Sequence, residues 1–446
     1  MVASSFVTLA AAALLASGAA ASPVAQGQRG LIGDFFEEVN NALEGVMSGI
    51  LDIVSPPAPT SETAALAALS DIFSSGGPEG FVASAEALLK AGFAPPSLSD
   101  LLDVNKTYTT GGNSMTNSNP ALPQNSPIIF PKAADGDAPY SLSEADLREA
   151  IYIPDGFTNG AKAPLLIIPG TGQPSYMTYS PNLIPVLQNS TFADPVWLNI
   201  PGFLLGDAQL SAEYIAYAAH YIAALTGKKV TLIAYSQGNI ITQWALTYWP
   251  STRSVVSDFV ALSPAFRGSI LVDAGCLPIK DIFGCPPAIL QQGLDSNFVN
   301  AMRADGGDSA LVPTTLMFSA TDEIAQPQIG ANATALLKDA NNVGVTPVRV
   351  QDANVCGGKL AGGVATHEGM LYHPVTLAML EDAMTHDGPG DLSRVDLDHL
   401  CGLVVAEGMG LSALVDTEVG LVKAGAAFLQ YRPYLQEEPA IVSYAA

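Results

Sequence analysis

One short stretch of the chain combines residue types that suit nucleophilic chemistry. It is the pentapeptide 234–238, AYSQG, whose central residue is Ser236. The apolar run 229–235 predicts a strand before the serine, and 238–249 predicts an amphipathic helix after it. Small residues two positions before and after the serine suit a nucleophile elbow, a tight strand-to-helix turn that exposes a hydroxyl above a sheet. The alternative interpretation is a serine that only caps an ordinary helix.

A serine hydroxyl becomes a good nucleophile only when a base takes its proton. At an elbow of this kind the acid and the histidine follow the serine in the chain, which disfavours His220. His367 lies in a Gly-rich segment after a predicted strand and is our candidate base. Asp322 follows the predicted strand 311–320 and is the candidate orienting acid, with Glu323 as its rival. The remaining histidines are interpreted as structural or solvent-exposed: His373, His386 and His399.

The intermediate of such a reaction needs hydrogen-bond donors for its oxyanion. The backbone N–H of Gln237, directly after the nucleophile, is one expected donor. The turn Gly170-Thr171-Gly172 follows an apolar run and is expected to supply another. A phosphate-binding turn is the alternative, but no G-x-x-x-x-G-K motif follows it.

The elements that must position these residues begin near residue 160. Apolar, β-rich runs alternate there with helical patterns at 211–227 and 238–249. Alternation of this kind predicts an α/β fold, a mainly parallel sheet covered by helices on both faces. The predicted strands are 163–169, 229–235, 255–264, 311–320 and 343–351.

The part of the chain before residue 131 has a different character. Residues 1–21 are interpreted as a signal peptide with an A-x-A cleavage pattern, which predicts secretion. Residues 22–130 are interpreted as a helical N-terminal extension and long loop, and 131–446 as the catalytic domain. Helical spacing marks 31–54, 61–74 and 79–92, whereas 105–138 is expected to be a surface loop. A membrane-surface helix is the alternative for 31–54, but its polar face is acidic.

Composition excludes several classes of function. The chain has 18 basic and 42 acidic residues and a formal net charge of −24. This charge argues against nucleic-acid binding and against electrostatic docking to anionic lipid. No segment after the signal reaches about 18 uninterrupted apolar residues, so no transmembrane segment is predicted. N-glycosylation sequons begin at Asn105, Asn189 and Asn332.

In a secreted chain, cysteines are candidates for disulfides. Four cysteines allow three pairings, and the spacings alone do not choose among them. A zinc site is disfavoured because the chain has no C-x-x-C pair and no histidine at ligand spacing. We expect no metal and no organic cofactor.

Three segments together resemble one family. "AYSQGNIITQWALTYWPSTRS", "SATDEIAQPQ" and "IIPGTG", with the histidine of "ATHEGM", are similar to the Candida antarctica lipase B-like family of fungal secreted lipases, which have the α/β-hydrolase fold. The likeness runs from about residue 160 to 435, and "SATDEIAQPQ" is its most specific part. The region up to about residue 130 has no counterpart in the lipase that gives the family its name, and could cover the pocket, act as a pro-segment or extend the core.

The resemblance implies roles for particular residues. Ser236, Asp322 and His367 match the family's nucleophile, acid and base, and Thr171 and Gln237 match its oxyanion-hole positions. Tyr235 takes the place of a tryptophan at the floor of the alcohol pocket, Ile324 matches an apolar pocket position, and Ala265 replaces an acidic pocket residue.

The resemblance also implies a disulfide pairing. Cys356 and Cys401 match one disulfide of the family, which leaves Cys276 to pair with Cys285. The second bond would tie the segment 271–292 into a stiff rim beside the active-site mouth. The loop-entropy model gives roughly 3 kcal/mol for the shorter loop and roughly 4 kcal/mol for the longer one.

The function that follows is that of a secreted, monomeric serine ester hydrolase acting on triacylglycerol or other lipid-like esters, in some cases at an oil–water interface. A short-chain carboxylesterase or a cutinase-like polyester hydrolase is the alternative within the same chemistry. A binding protein on the same fold without catalysis is the alternative from another class, because a fold does not determine function.

Overall fold

The computed structural model describes residues 53, 55–74, 77–78, 81–97, 101, 104–272, 276 and 284–446. The predicted signal peptide and almost all of the predicted helix 31–54 lie outside these residues. So does most of the segment between Cys276 and Cys285, on which the expected stiff rim depends.

The centre of the described chain is one sheet of seven strands in the order β1-β3-β2-β4-β5-β6-β7. β1 runs antiparallel to β3, and every other neighbouring pair is parallel. The strands are β1 Ile151–Tyr152, β2 Ala163–Ile168, β3 Ala193–Leu198, β4 Val230–Tyr235, β5 Val256–Leu262, β6 Thr314–Phe318 and β7 Val345–Arg349.

Helices cover both faces of this sheet and connect its strands. The α-helices are α1 Glu62–Phe73, α2 Phe81–Lys90, α3 Val104–Thr107, α4 Glu144–Glu149, α5 Ser175–Tyr179, α6 Leu183–Asn189, α7 Ala208–Thr226, α8 Gln237–Tyr248, α9 Thr252–Val255, α10 Pro287–Gln291, α11 Asn297–Met302, α12 Pro374–Thr385, α13 Leu397–Leu400 and α14 Leu411–Gln430. Short 3₁₀ turns are Gly111–Asn113, Leu360–Gly362, Glu368–Leu371 and Leu392–Arg394, and Arg303–Gly307 is a π-turn.

Two buried clusters show how the sheet is covered. On one face α7 and α8 contribute Tyr217 and Ile241 to the core, and on the other α6 and α12 contribute Leu187 and Leu380. β4 is buried along its whole length, as a parallel strand covered on both faces must be. The predicted α/β class with a mainly parallel sheet is therefore confirmed.

A third buried cluster joins the region before residue 131 to the far end of the chain. α1 and α2 form the predicted helices 61–74 and 79–92, and they pack against α14. Leu69, Leu88 and Leu421 are among the fully buried members of this cluster. The helices of the extension thus belong to a core that also holds the C-terminal helix in place.

Both expected disulfides are present, which confirms the pairing implied by the resemblance. Cys276 pairs with Cys285 and Cys356 with Cys401, with Cα–Cα distances of 6.2 and 5.3 Å. Ala361 donates its backbone N–H to the carbonyl of Cys401, so the second disulfide lies close to the chain that leads to His367. Within the described residues, each helix is too short or too polar to cross a membrane.

Candidate active site

Ser236 occupies a strained turn between β4 and α8. Its φ of 53° and ψ of −125° are unusual for a residue with a side chain. Its N–H donates to the carbonyl of Leu262 at the end of β5, and Asn239 Nδ2 donates to the same oxygen at 2.7 Å. A Cβ at Gly238 would lie 2.4 Å from the carbonyl oxygen of Pro169, so only glycine fits there. The surrounding backbone therefore fixes the turn that the sequence predicts.

Three side chains from distant parts of the sequence meet at this turn. His367 Nε2 lies 2.8 Å from Ser236 Oγ, and His367 Nδ1 lies 2.8 Å from Asp322 Oδ2. The other oxygen of Asp322 accepts the N–H groups of Ile324 at 2.9 Å and Ala325 at 2.6 Å, which orients the carboxylate. With the proton on Nδ1, the imidazole presents Nε2 as the acceptor for the serine hydroxyl.

The loop that carries His367 is held by side chains from the ends of two strands. Ser263, after β5, donates its hydroxyl to the carbonyl of His367 at 2.7 Å. Glu323, after β6, accepts the backbone N–H of His367 at 2.9 Å. Thr321 Oγ1 bonds both the N–H and the carbonyl of Ala365 at 3.0 Å. Glu323, the rival acid, therefore contacts the backbone of His367, while Asp322 contacts the imidazole.

The two expected oxyanion donors are neighbours beside the serine. Gln237 is the first residue of α8, so its backbone N–H has no acceptor within the helix. Thr171 Oγ1 lies 2.7 Å from Gln237 Oε1, which also accepts from Gln292 Nε2 at 3.1 Å. A Cβ at Gly170 would lie 3.1 Å from the Cβ of Ser236, which shows how closely the loop after β2 approaches the nucleophile.

A pocket with about 300 Å³ of empty space, part of it open to solvent, lies over the serine. Its walls are mostly apolar, and its polar groups are concentrated at Ser236, Gln237, Ser269, Gln292 and His367. The apolar wall residues are Ile240, Ala265, Val272, Ile324 and Ala325. Ile324 and Ala265 are thus among the residues that line this pocket.

The electrostatics of the site favour a charged imidazole. Burial by itself lowers the pKa of His367, but the charge and hydrogen bond of Asp322, followed by the charges of Glu368 and Glu418, raise it above the ordinary 6.5. The imidazolium that forms when His367 takes a proton is therefore stabilised by its neighbour.

Tyr235, expected in the alcohol pocket, is not among the residues that line it. Its side chain is buried, and its ring centroid lies 5.0 Å from that of His367. Burial, followed by the nearby charge of Glu368, raises the pKa of Tyr235 well above its ordinary value. Its role as a pocket residue stays a prediction.

The other histidines lie away from the triad. His373 is buried and caps α12, with Nε2 2.9 Å from the carbonyl of Ala361. His220 Nε2 lies 2.9 Å from Ser251 Oγ, while His386 and His399 are exposed beside carboxylates. The sequon residues Asn105, Asn189 and Asn332 are all exposed, and their glycosylation stays a prediction.

Several residues that shape the site were not found from the sequence. Ser263 and Gln292 carry no local motif, and their contacts depend on the folded positions of β5 and α10. Glu418 is a fully buried acid in α14, where Thr366 and Tyr372 donate to it. The one signal in the sequence is its spacing: Glu418 lies four residues from the apolar Leu414 and Val422, on the same face of the helix.

Comparisons with known proteins show a likeness to lipases of the B type. The lipase B of Pseudozyma antarctica is 32% identical over 204 residues, which are 46% of this chain and 58% of that protein. The chain thus matches rather more than half the length of this curated relative. The crystal structure of Aspergillus fumigatus lipase B has a TM-score of 0.83 and 41% identity, and the match covers 92% of this chain and 96% of that one. No family model matches the chain.

Labelling of Ser236 by a fluorophosphonate should depend on pH through His367. Because the imidazole must be neutral to take the serine proton, and its pKa is raised, the labelling rate should fall with a midpoint above 6.5 as the pH is lowered. The measurement is the second-order labelling rate against pH, with Ser236→Ala as the blank. A midpoint below 6.5 would contradict the interpretation of the Asp322–His367 contact.

Proposed function

The chain belongs to the lipase B family of carboxylic ester hydrolases, and we propose that it hydrolyses lipid-like esters through an acyl-enzyme on Ser236. The observation that supports this most directly is the unbroken chain of hydrogen bonds from Ser236 through His367 to Asp322. Ser236 and His367, at one end of this chain of hydrogen bonds, line a mostly apolar pocket. The nucleophile, its base and a mostly apolar pocket are thus adjacent.

In the proposed mechanism Ser236 Oγ attacks the ester carbonyl while His367 Nε2 takes the hydroxyl proton. Asp322 holds the imidazole in the required tautomer and stabilises the imidazolium. The backbone N–H of Gln237 and the hydroxyl of Thr171 stabilise the oxyanion. For this the Thr171 hydroxyl turns away from Gln237 Oε1, its acceptor in the free protein.

Collapse of the intermediate breaks the bond to the leaving alcohol, which takes the proton from His367. Water then enters, gives a proton to His367 and attacks the acyl-enzyme, and the carboxylic acid leaves as Ser236 regains its proton. The substrate is proposed to be uncharged and apolar, because His367 is the only titratable side chain lining the pocket among the described residues.

We further propose that the protein is secreted, with 1–21 as signal peptide, 22–130 as extension and 131–446 as catalytic domain, and that it acts as a monomer. The two disulfides support an oxidising compartment. The three exposed sequon asparagines are available for glycosylation there.

Substrate class is tested by comparing emulsified long-chain triglyceride with soluble butyrate esters. If the protein is a lipase, we expect hydrolysis of the emulsion as well as of the soluble ester. Hydrolysis of the butyrate ester alone would favour the short-chain carboxylesterase.

Replacing the nucleophile gives the sharpest test of the mechanism. Ser236→Ala should lower kcat by roughly a million-fold, because the three residues act as a unit. The measurement is the steady-state hydrolysis of a soluble ester, with circular dichroism to show that the variant is folded. A folded variant with near-normal turnover would remove Ser236 from the mechanism.

Thr171 offers a matched pair of variants for the oxyanion donor. Thr171→Val keeps the shape but removes the hydroxyl, and should cost at most about 3 kcal/mol of transition-state stabilisation. Thr171→Ser keeps a hydroxyl and should lose much less. Both are read from kcat/KM on one soluble ester, and equal losses in the two variants would argue for a packing role.

A further inference from the structure

Three buried glutamates surround the histidine-bearing loop without touching the pocket. Glu323, Glu368 and Glu418 are at most 8% exposed, and none of them lines the pocket over Ser236. The mechanism above uses none of them. They come from different parts of the chain: the turn after β6, the turn after His367 and the middle of α14.

Glu418 binds the loop on both sides of the imidazole. Its Oε1 accepts the hydroxyl of Thr366 at 2.6 Å and the hydroxyl of Tyr372 at 2.6 Å. Thr366 directly precedes His367, and its Oγ1 also accepts the N–H of Gly369 at 2.9 Å. One carboxyl oxygen thus fixes both ends of the segment 366–372.

Among the described residues, no lysine or arginine forms an ion pair with this carboxyl group, and His367 is the nearby group that can carry a positive charge. Among the ion pairs of the described residues, none involves Glu323, Glu368 or Glu418. One oxygen of each of these glutamates is buried and lacks a hydrogen-bond partner in the described structure. A buried charge without a partner costs more free energy than protonation does.

The pKa values agree with this geometry. Burial, followed by the charge of Glu368, raises the pKa of Glu418 to about 8. Burial raises the pKa of Glu368 to about 7, although the charge of His367 opposes it. Burial, followed by the charges of Glu368 and Asp322, raises the pKa of Glu323 well above its ordinary value.

We propose that Glu418 is a positioning residue for His367, a neutral carboxyl group that clamps the segment 366–372 through Thr366 and Tyr372. This inference rests on the proposed function, because it assigns His367 as the base. A neutral Glu418 would fix the loop without placing a second negative charge near the imidazole. Asp322 would then be the carboxylate that orients the imidazole. The titratable and charged groups that face Glu418 are Glu368, His367 and Tyr372, with Glu323 beside them.

Two substitutions of Glu418 separate the clamp from simple packing. Glu418→Gln keeps a carbonyl oxygen for both hydroxyls and resembles the neutral acid, so it should retain the wild-type kcat and pH profile. Glu418→Ala loses the clamp, and a misplaced imidazole should lower kcat and the fluorophosphonate labelling rate by about 100-fold. KM for a small soluble ester should stay unchanged, because Glu418 does not line the pocket.

Thermal stability gives a second readout. An acid with a raised pKa keeps a proton in the folded state that the unfolded state loses above pH 4.5, so Tm should fall as the pH rises toward 8. Glu418→Gln removes that proton, so its Tm should fall less than that of the wild type over this range. Tyr372→Phe, which removes one of the two donors, should lower kcat less than Glu418→Ala does.

Wild-type kcat in Glu418→Ala would overturn the inference. So would a Glu418→Gln variant with native Tm but a low kcat or a displaced pH profile, since the negative charge would then be required. If Glu418→Ala does not fold, the Glu418→Gln measurements decide alone. Failure of the proposed function can be told apart from failure of this inference. If the proposed function is wrong, the fluorophosphonate will not label Ser236 even in the wild-type protein.

Discussion

The hydrogen bond between Asp322 and His367 is the contact on which the rest of the site depends. It joins two buried side chains that are 45 residues apart in sequence, at a distance of 2.8 Å. In a buried setting such a bond is stronger than in water, and it selects one tautomer of the imidazole. Without that tautomer Nε2 would face the serine with a proton already in place, and the strained turn at Ser236 would serve no reaction.

The parallel sheet explains how residues so distant in sequence converge. Parallel strands all end at the same edge, so each one delivers its following residue to one place. Thr171 follows β2, Ser236 follows β4, Ser263 follows β5 and Asp322 follows β6. The loop with His367 comes after β7, the edge strand, and crosses back over the ends of its neighbours. Its anchors at Thr321, Ser263 and Glu323 are side chains of those same turns.

Motif and chain order could predict the elbow, its serine and the two partners, because each rests on local chemistry. β3 was not predicted because Asp194 and Pro195 interrupt its apolar pattern. Its pairing with β2 on one side and β1 on the other depends on tertiary structure, which the local sequence does not reveal. The contacts of Ser263, Gln292 and Glu418 could not be predicted, since they depend on how separate elements pack. The pocket role of Tyr235 was implied only by the resemblance and stays a prediction; its ring centroid lies 5.0 Å from that of His367.

Several acids are buried beside His367, and burying more than one negative charge there is costly in free energy. A dry environment strengthens the bond from Asp322 to the imidazole, but it penalises every other charge placed nearby. Were Glu323, Glu368 and Glu418 all ionised, they would compete with Asp322 for the imidazolium and repel one another. Protonation of these glutamates would remove this competition, and the oxygens of Glu418 and Glu323 would still accept hydrogen bonds from Thr366, Tyr372 and the backbone of His367. Neutral acids can therefore hold the loop in place, which charged ones could do only at a large cost in free energy.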